Sequence, residues 1–259
     1  MTKFSANLGF LWTDLPLPQA IHAAKSAGFD AVECHWPYDT PPRETIDALR
    51  ETGLKMLCIN TRRGNVEAGD NGVAAIPGRE TEARQFIDQA IAYAHEIHCD
   101  NIHVMAGKTD QGLAARSTFA ANLTYACQSA QRHGITVFIE PLNTGDAPGY
   151  HLATLDQAQE VLQEVSQRNL KIMFDCYHLE IMQGNLANLF KAALPNIGHV
   201  QIAGVPTRGT PDQGTVDYAK LLNEFANMGW DAPIGAEYKP SGETGASLGW
   251  MQAYKPNIS

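Results

Sequence analysis

The sequence predicts a single (β/α)₈ barrel, and three observations lead to this fold class. The chain has 259 residues, a typical length for one such barrel. Short runs rich in β-branched and aromatic residues alternate about eight times with longer amphipathic stretches, which is the pattern of parallel strands joined by helices. No linker or change of composition divides the chain, so residues 1–259 are expected to form one domain.

The strands of this barrel are predicted from short β-rich runs of suitable length. In chain order they are residues 5–11, 31–36, 55–61, 101–107, 135–143, 170–178, 197–204 and 233–240. An open doubly wound α/β sheet is the alternative fold. The glycine-rich fingerprint that usually follows the first strand of such a sheet is absent, so the closed barrel is favoured.

The helices are predicted from apolar residues that recur three and four positions apart, as expected for helices on the outside of a barrel. This spacing is clearest at residues 18–27, 79–97, 118–133, 155–168 and 218–228. Glycine readily adopts the left-handed conformation that ends helices. The residues expected to do so just before the next strand are Gly28, Gly53, Gly134 and Gly229.

Two loops that follow strands, residues 62–78 and 205–214, are longer and richer in glycine than a simple connection requires. Both loops would lie at the carboxyl ends of strands. In a (β/α)₈ barrel this face carries the active site, so these loops are expected to help form it.

The composition excludes several classes of function. With 44% hydrophobic and 18% charged residues the chain is typical of soluble globular proteins, and its net charge of -9 opposes binding to nucleic acids or anionic membranes. No apolar run approaches the roughly 20 residues that cross a bilayer, and the first residues lack an apolar signal core. The five cysteines are scattered and form no CxxC pair, so they are expected to be reduced. We therefore expect a cytoplasmic protein.

Four predicted strands in the second half of the chain carry an oxygen-bearing side chain near their carboxyl ends: Glu140, Asp175, Gln201 and Glu237. Side chains alternate across a strand, and the apolar neighbours of these residues occupy the positions that face the helices. All four polar side chains should therefore point into the barrel and converge at its mouth.

The convergence of three carboxylates predicts a metal site. Buried carboxylates repel one another and are costly to desolvate, whereas a divalent cation removes both penalties. Oxygen ligands without thiolates favour Mg²⁺ or Mn²⁺ over zinc. Glu140, Asp175, Gln201 and Glu237 are accordingly the predicted metal ligands.

Several motifs resemble those of the hydroxypyruvate isomerase family, among the xylose-isomerase-like (TIM) barrels. The strand-end motifs are EPLN at 140–143, FDCYH at 174–178, GHVQIAG at 198–204 and GAEYKP at 235–240. Further matches are GFDAVE at 28–33, PGRE at 77–80 and HVMAG at 103–107, so the resemblance covers nearly the whole chain. The chain departs from the family after the second strand, where relatives tend to have apolar residues and this sequence has Cys34-His35-Trp36; Trp12 likewise closes the first strand.

The resemblance implies an isomerase that interconverts hydroxypyruvate and tartronate semialdehyde, or a related four-carbon pair, 2- and 3-dehydrotetronate. It also implies that Glu140 and Glu237 are the proton donor and acceptor, and that Asp175 and Gln201 complete the metal shell. Moving a carbonyl between adjacent carbons proceeds through an enediolate, whose negative charge a metal ion stabilises. The sequence does not indicate which glutamate acts first as the base.

A sugar-acid substrate also brings its own carboxylate, for which the site needs a further cation. Arg208 is the preferred candidate, because a guanidinium on a loop at the catalytic face can clamp a carboxylate. His178, three residues after Asp175, is expected to bind a substrate hydroxyl or orient a ligand. The other candidate substrate-binding residues are Asn7, Asn60 and His103, for each of which a structural role is an equal alternative. His35 is likewise equally balanced between a functional and a structural role. His199, deeper in its strand, is expected to be a hydrogen-bonded core residue.

Two other functions remain as alternatives. A ketose 3-epimerase of the same superfamily would use the same metal and glutamates but would not need Arg208 for a substrate carboxylate. A non-catalytic sugar sensor would not need to retain all four ligand-type residues. A metal-dependent endonuclease is disfavoured by the charge of -9. The expected partner is a small sugar acid, and the formation of homo-oligomers is left open.

Overall fold

The computed structural model describes residues 2–254, which form a closed barrel of parallel strands surrounded by helices. The strands β1 to β8 are Phe4–Asn7, Ala31–Cys34, Met56–Asn60, Asn101–His103, Thr136–Ile139, Leu170–Asp175, Ile197–Ile202 and Ile234–Ala236. The helices α1 to α8 are Leu17–Ser26, Pro42–Thr52, Glu80–Glu96, Leu113–Gln131, Leu155–Val165, Cys176–Met182, Leu186–Ala193 and Tyr218–Asn227. Two 3₁₀ segments span Leu194–Asn196 and Thr244–Tyr254.

Each strand pairs with its successor in the chain, and β8 pairs with β1 to close the barrel. Ser5 of β1 lies opposite Gly235 of β8, and Asp175 of β6 lies opposite Gln201 of β7. Because all the strands are parallel, their carboxyl ends lie on one face of the barrel. The predicted fold class is confirmed.

The core has two layers, as the alternation of side chains in the strands predicts. Val137, Ile139 and Ile172 belong to the large apolar cluster that includes the helices. Phe138 and Met173, at the intervening positions, form a separate small cluster with Cys58. Glu140 and Asp175 lie two residues beyond Phe138 and Met173 in the chain and therefore share their inward side.

All eight predicted strands are present, although each ends earlier than predicted. The predicted strand 170–178 is wrong beyond Asp175, because α6 begins at the next residue. The Asp175 carboxylate accepts a hydrogen bond of 2.8 Å from the backbone N–H of Tyr177 and thereby caps α6. This cap turns the chain away from the strand direction at the rim of the barrel.

The five helices predicted by residue range are present, with shifts at their ends, and α2, α6 and α7 were not delimited from sequence. Gly53 ends α2 as predicted, because its φ of 69° is left-handed and its N–H donates to the carbonyl of Leu49. None of the helices described between residues 2 and 254 is long and apolar enough to cross a bilayer. All five cysteines are free thiols.

Candidate active site

The structure brings the four strand-end residues to the barrel mouth, where all are buried. Asp175 is the last residue of β6 and Gln201 lies in β7, whereas Glu140 and Glu237 each follow the end of a strand by one residue. The parity of the strands places them above the inner apolar cluster. The predicted convergence of these residues is thus present in the structure.

Arg208 reaches into this group from the loop after β7. Its Nη2 lies 2.7 Å from Oε2 of Glu237 and 3.5 Å from Oδ2 of Asp175, and its side chain is only 12% exposed. The rings of Phe10 and Tyr177 lie 4.9 and 5.0 Å from the guanidinium carbon. This burial shows that Arg208 is not a solvated loop arginine.

The backbone of this loop holds Arg208 in place. Its φ of 56° is in the left-handed region, which is uncommon for a residue with a side chain. The Arg208 carbonyl accepts a hydrogen bond of 2.7 Å from the N–H of Lys239, and an antiparallel bridge pairs Gly204 with Gly209. The guanidinium is therefore directed inward by the fold of the loop.

The carboxyl groups of the site differ in their ionisation. Burial, followed by the charges of Glu237 and Asp175, raises the pKa of Glu140 well above its usual value. Burial also raises the pKa of Asp175 to about 8, although the Arg208 charge opposes this shift. Burial acts in the same direction on Glu237, but the charge of Arg208 and a hydrogen bond from His35 outweigh it and lower the pKa of Glu237. Without a bound cation, Glu237 therefore ionises more readily than Glu140.

Two hydrogen-bond donors contact the other oxygen of Glu237. The Asn7 amide donates to Oε1 at 2.8 Å, and Nε2 of His35 lies 2.8 Å from the same atom. Asn7 was a predicted site residue and ends β1. His35, directly after β2, was equally balanced from sequence between a functional and a structural role, and the sequence signal for it was the Cys34-His35-Trp36 departure from the family pattern.

His178 lies between Glu140 and Asp175 in a defined tautomer. Its Nδ1 accepts hydrogen bonds from the backbone N–H of Asn143 at 3.1 Å and from the Asn143 side-chain amide at 2.7 Å. Burial lowers the pKa of His178 to about 3, so the ring is neutral and its single proton is on Nε2. Nε2 lies 3.6 Å from Oδ2 of Asp175 and 4.0 Å from Oε1 of Glu140, and it has no hydrogen-bond partner within residues 2–254.

Glu140, Asp175 and His178 are close enough to hold a metal ion, since one ligand atom from each lies within 4.8 Å of the others. The protonation of His178 at Nε2 disfavours this residue as a ligand, because a metal needs the lone pair of that nitrogen. Oxygen atoms fit a divalent cation better. Oε1 of Glu140 and Oε1 of Gln201 are both buried and have no hydrogen-bond partner among the described residues.

The amide of Gln201 is oriented from below by a buried carboxylate. Nε2 of Gln201 lies 3.4 Å from Oε2 of Glu33, and Nε2 of His199 lies 2.6 Å from the same oxygen. His199 is thus a hydrogen-bonded core residue, as predicted. Glu33 was missed from sequence, although a carboxylate within the apolar strand Ala31–Cys34 was a visible signal.

The remaining predicted residues are at the rim. His103 is buried beside Glu140, with Nδ1 3.6 Å from Oε2, and burial lowers its pKa to about 4. Asn60 ends β3, where it is the register partner of His103, and its side chain is half-buried. A cavity of about 740 Å³ opens beside Phe10 on the same face, and its lining includes Trp12 and Lys239.

Comparisons with known proteins identify relatives of this chain. Residues 21–254 match the family described as xylose isomerase-like TIM barrel. The chain is 42% identical over 257 residues to a 2-oxo-tetronate isomerase of Cupriavidus necator, covering 98% of this chain and 99% of that one. It is 36% identical over 258 residues to a hydroxypyruvate isomerase of Escherichia coli, covering 98% and 100%.

Solved structures show the same architecture. A protein from Brucella melitensis described as an AP endonuclease, family 2, has a TM-score of 0.94 and 36% identity, with 98% of this chain and 100% of that chain covered. A D-allulose 3-epimerase from Methylomonas sp. has a TM-score of 0.76 at 21% identity, covering 93% and 85%. At this lower identity the likeness shows the fold alone.

Proposed function

The chain belongs to the xylose isomerase-like TIM barrel family, and we propose that the mouth of its barrel is the active site of a metal-dependent sugar-acid isomerase. Its similarity to 2-oxo-tetronate and hydroxypyruvate isomerases makes it an isomerase of this kind. The proposed substrates are hydroxypyruvate, which would give tartronate semialdehyde, and the four-carbon 2-/3-dehydrotetronate pair. The five free cysteines support a reducing location such as the cytoplasm.

The buried position of Arg208 is the observation that carries this proposal. A guanidinium stacked between two rings and 12% exposed is costly to maintain unless it has a negative partner. In the structure its partner is Glu237. A substrate carboxylate of a sugar acid would meet the same guanidinium at the barrel mouth, whereas a neutral ketose has no group that requires it.

The predicted ligand set Glu140, Asp175, Gln201 and Glu237 fits a hard divalent cation such as Mg²⁺ or Mn²⁺. The support is the unpartnered buried oxygens of Glu140 and Gln201 and the unfavourable burial of three carboxyl groups around them. When bound, such an ion would stabilise negative charge on the substrate oxygens. Glu33 would assist by accepting from the amide N–H of Gln201, because this leaves the Gln201 carbonyl oxygen directed at the site.

The reaction requires only proton movements, for which Glu140 and Glu237 are the proposed donor and acceptor. For hydroxypyruvate, one carboxylate removes a proton from C3, and the other carboxyl group delivers a proton to C2. The hydroxyl proton passes from the oxygen on C3 to the oxygen on C2, so no oxidant or reductant is consumed.

The neutral Nε2–H of His178 is proposed to donate a hydrogen bond to a substrate oxygen. Its lone proton faces Glu140 and Asp175, and Asn143 fixes this tautomer from the opposite side of the ring. His103, Asn7 and Asn60 would line the same pocket. Of these, Asn7 acts through its contact with Glu237.

The test is a substrate screen on the metal-loaded protein. We expect isomerisation of hydroxypyruvate or of a four-carbon oxo-acid, and little conversion of free ketoses such as fructose. Product formation can be followed by NMR, which separates an isomerised product from an epimerised one. Preferred epimerisation of a neutral ketose at C3 would replace this proposal with the epimerase alternative.

A further inference from the structure

We propose that His35 is a positioning residue that, together with Asn7, determines which oxygen of Glu237 faces the reacting centre. This inference rests on the role of Glu237 proposed above. Its basis is a contact between two barrel strands that are not neighbours, since His35 follows β2 and Glu237 follows β8. The contact spans β1, which lies between them and contributes Asn7.

The two oxygens of Glu237 have different partners. Oε1 lies 2.8 Å from Nε2 of His35 and accepts from the Asn7 amide at 2.8 Å. Oε2 lies 2.7 Å from Arg208, on the side of Asp175. Oε1 accepts from the Asn7 amide, and a carboxylate oxygen that accepts from both neighbours requires the proton of the His35 contact to be on Nε2. The two donors thus hold Oε1 toward the part of the barrel wall formed by β1 and β2. Oε2 is therefore the oxygen that faces the reacting centre.

The imidazole of His35 is held rigidly enough to impose this orientation. Gly9 lies directly against the ring, and a Cβ atom at that position would overlap it. The Phe10 ring meets the imidazole edge-on with centroids 5.2 Å apart, and the Trp36 ring lies 4.9 Å away. The His35 carbonyl also accepts a 2.7 Å hydrogen bond from the N–H of Asn60. The ring is therefore fixed by packing on several sides as well as by its backbone.

This restraint matters because the terminal torsion of a glutamate is intrinsically broad. A carboxylate must be correctly oriented to remove a proton from a defined carbon and at the same time face a cation. Free rotation of the carboxylate would therefore lower the rate of proton transfer. Two donors on one oxygen remove that freedom. Loss of such an outer contact typically lowers metal affinity or activity by about 10–100-fold.

The test compares His35→Leu and His35→Met, which fill similar space without a donor, with His35→Gln, whose amide can donate to the same oxygen. For both apolar variants we expect kcat to fall by about 10-fold or more, with the KM for hydroxypyruvate within about twofold. The dissociation constant for Mn²⁺, measured by titration calorimetry without substrate, should rise by about 10-fold. The glutamine variant should recover most of both losses.

A matched control is His151→Leu, which removes another buried imidazole, one that contacts Thr109 and not Glu237. If His35 acted only through folding, the glutamine variant would lose as much as the apolar ones, and the losses would follow the melting temperature. That result, or apolar variants with unchanged kcat and Mn²⁺ affinity, would overturn the inference. Full activity of Glu237→Gln would instead overturn the proposed function.

Discussion

Nη2 of Arg208 lies 2.7 Å from Oε2 of Glu237, so the loop after β7 and the end of β8 are joined by a buried ion pair at the barrel mouth. The pair connects the residue proposed to select acidic substrates with a residue proposed to move the proton. In a buried site the loss of one partner leaves the other charge uncompensated. Changes at either residue should therefore affect more than the contact removed.

Arg208→Gln tests the selection of acidic substrates. We expect the KM for hydroxypyruvate to rise by about 10–100-fold, the range expected for losing a hydrogen bond to a charged group. The KM for any neutral ketose that is turned over should change much less. Steady-state kinetics on both substrates check this, with Arg116→Gln as the control, since Arg116 is exposed on α4 and pairs with Glu164 at 2.6 Å. Equal effects on both substrates would favour the epimerase alternative.

Metal dependence can be tested by removal and by substitution. A chelator should abolish turnover, and Mg²⁺ or Mn²⁺ should restore it, because the enediolate needs charge stabilisation. Asp175→Ala should lose both Mn²⁺ binding and activity. Asp88→Ala, a change at an exposed helix residue that contacts Tyr125, is the control for loss of a carboxylate. Full turnover in rigorously metal-free protein would refute the mechanism.

The glutamate pair can be tested with Glu140→Gln and Glu237→Gln. Glutamine keeps the shape and a coordinating oxygen but cannot exchange a proton, so each variant should fold and lose activity by about 10²-fold or more. The double variant should have little less activity than either single variant, because each single change already removes the proton transfer on which both residues act. In D₂O, a variant that exchanges the substrate C–H proton without forming product has retained the base. Near-normal turnover in both variants with metal bound would exclude this mechanism.

The lowered pKa of His103 predicts that the stability of the metal-free protein depends on pH. Burial lowers the pKa of His103 from 6.5 to about 4. Between these two pH values the unfolded chain binds a proton at His103, whereas the folded chain does not. The contribution of His103 to the free energy of unfolding is complete above pH 6.5. It is lost as the pH falls toward 4, which lowers the free energy of unfolding by roughly 3 kcal/mol.

The measurement is the free energy of unfolding by urea between pH 7 and pH 4, with chelator present. In His103→Gln the decline over this range should be smaller than in the unchanged chain by roughly 3 kcal/mol. His22→Gln, at an exposed position on α1, serves as the control. An identical decline in His103→Gln and the unchanged chain would show that His103 is not the group responsible.

Much of the site was accessible from sequence because strand geometry is regular. Glu140, Asp175, Gln201 and Glu237 share one parity with the inward residues of their strands, and parallel strands end on a common face. The strand that was predicted to continue to residue 178 was wrong beyond Asp175, since residues 176–178 are equally compatible with a strand or a helix. A capping hydrogen bond from Tyr177, formed only in the folded rim, decides between them.

The sequence by itself determined the barrel, the family and the inward position of the four strand-end residues, because alternation and strand order are local or repeated patterns. Only the tertiary structure decided the partners of these residues. Arg208 is buried against Glu237 by a loop whose left-handed conformation no composition rule predicts. His35 and Glu33 reach Glu237 and Gln201 across the barrel, at separations of 202 and 168 residues in the chain. Contacts of this kind depend on closure of the sheet, which brings β2 close to β7 and β8. No pattern along the chain predicts how close in space these strands lie.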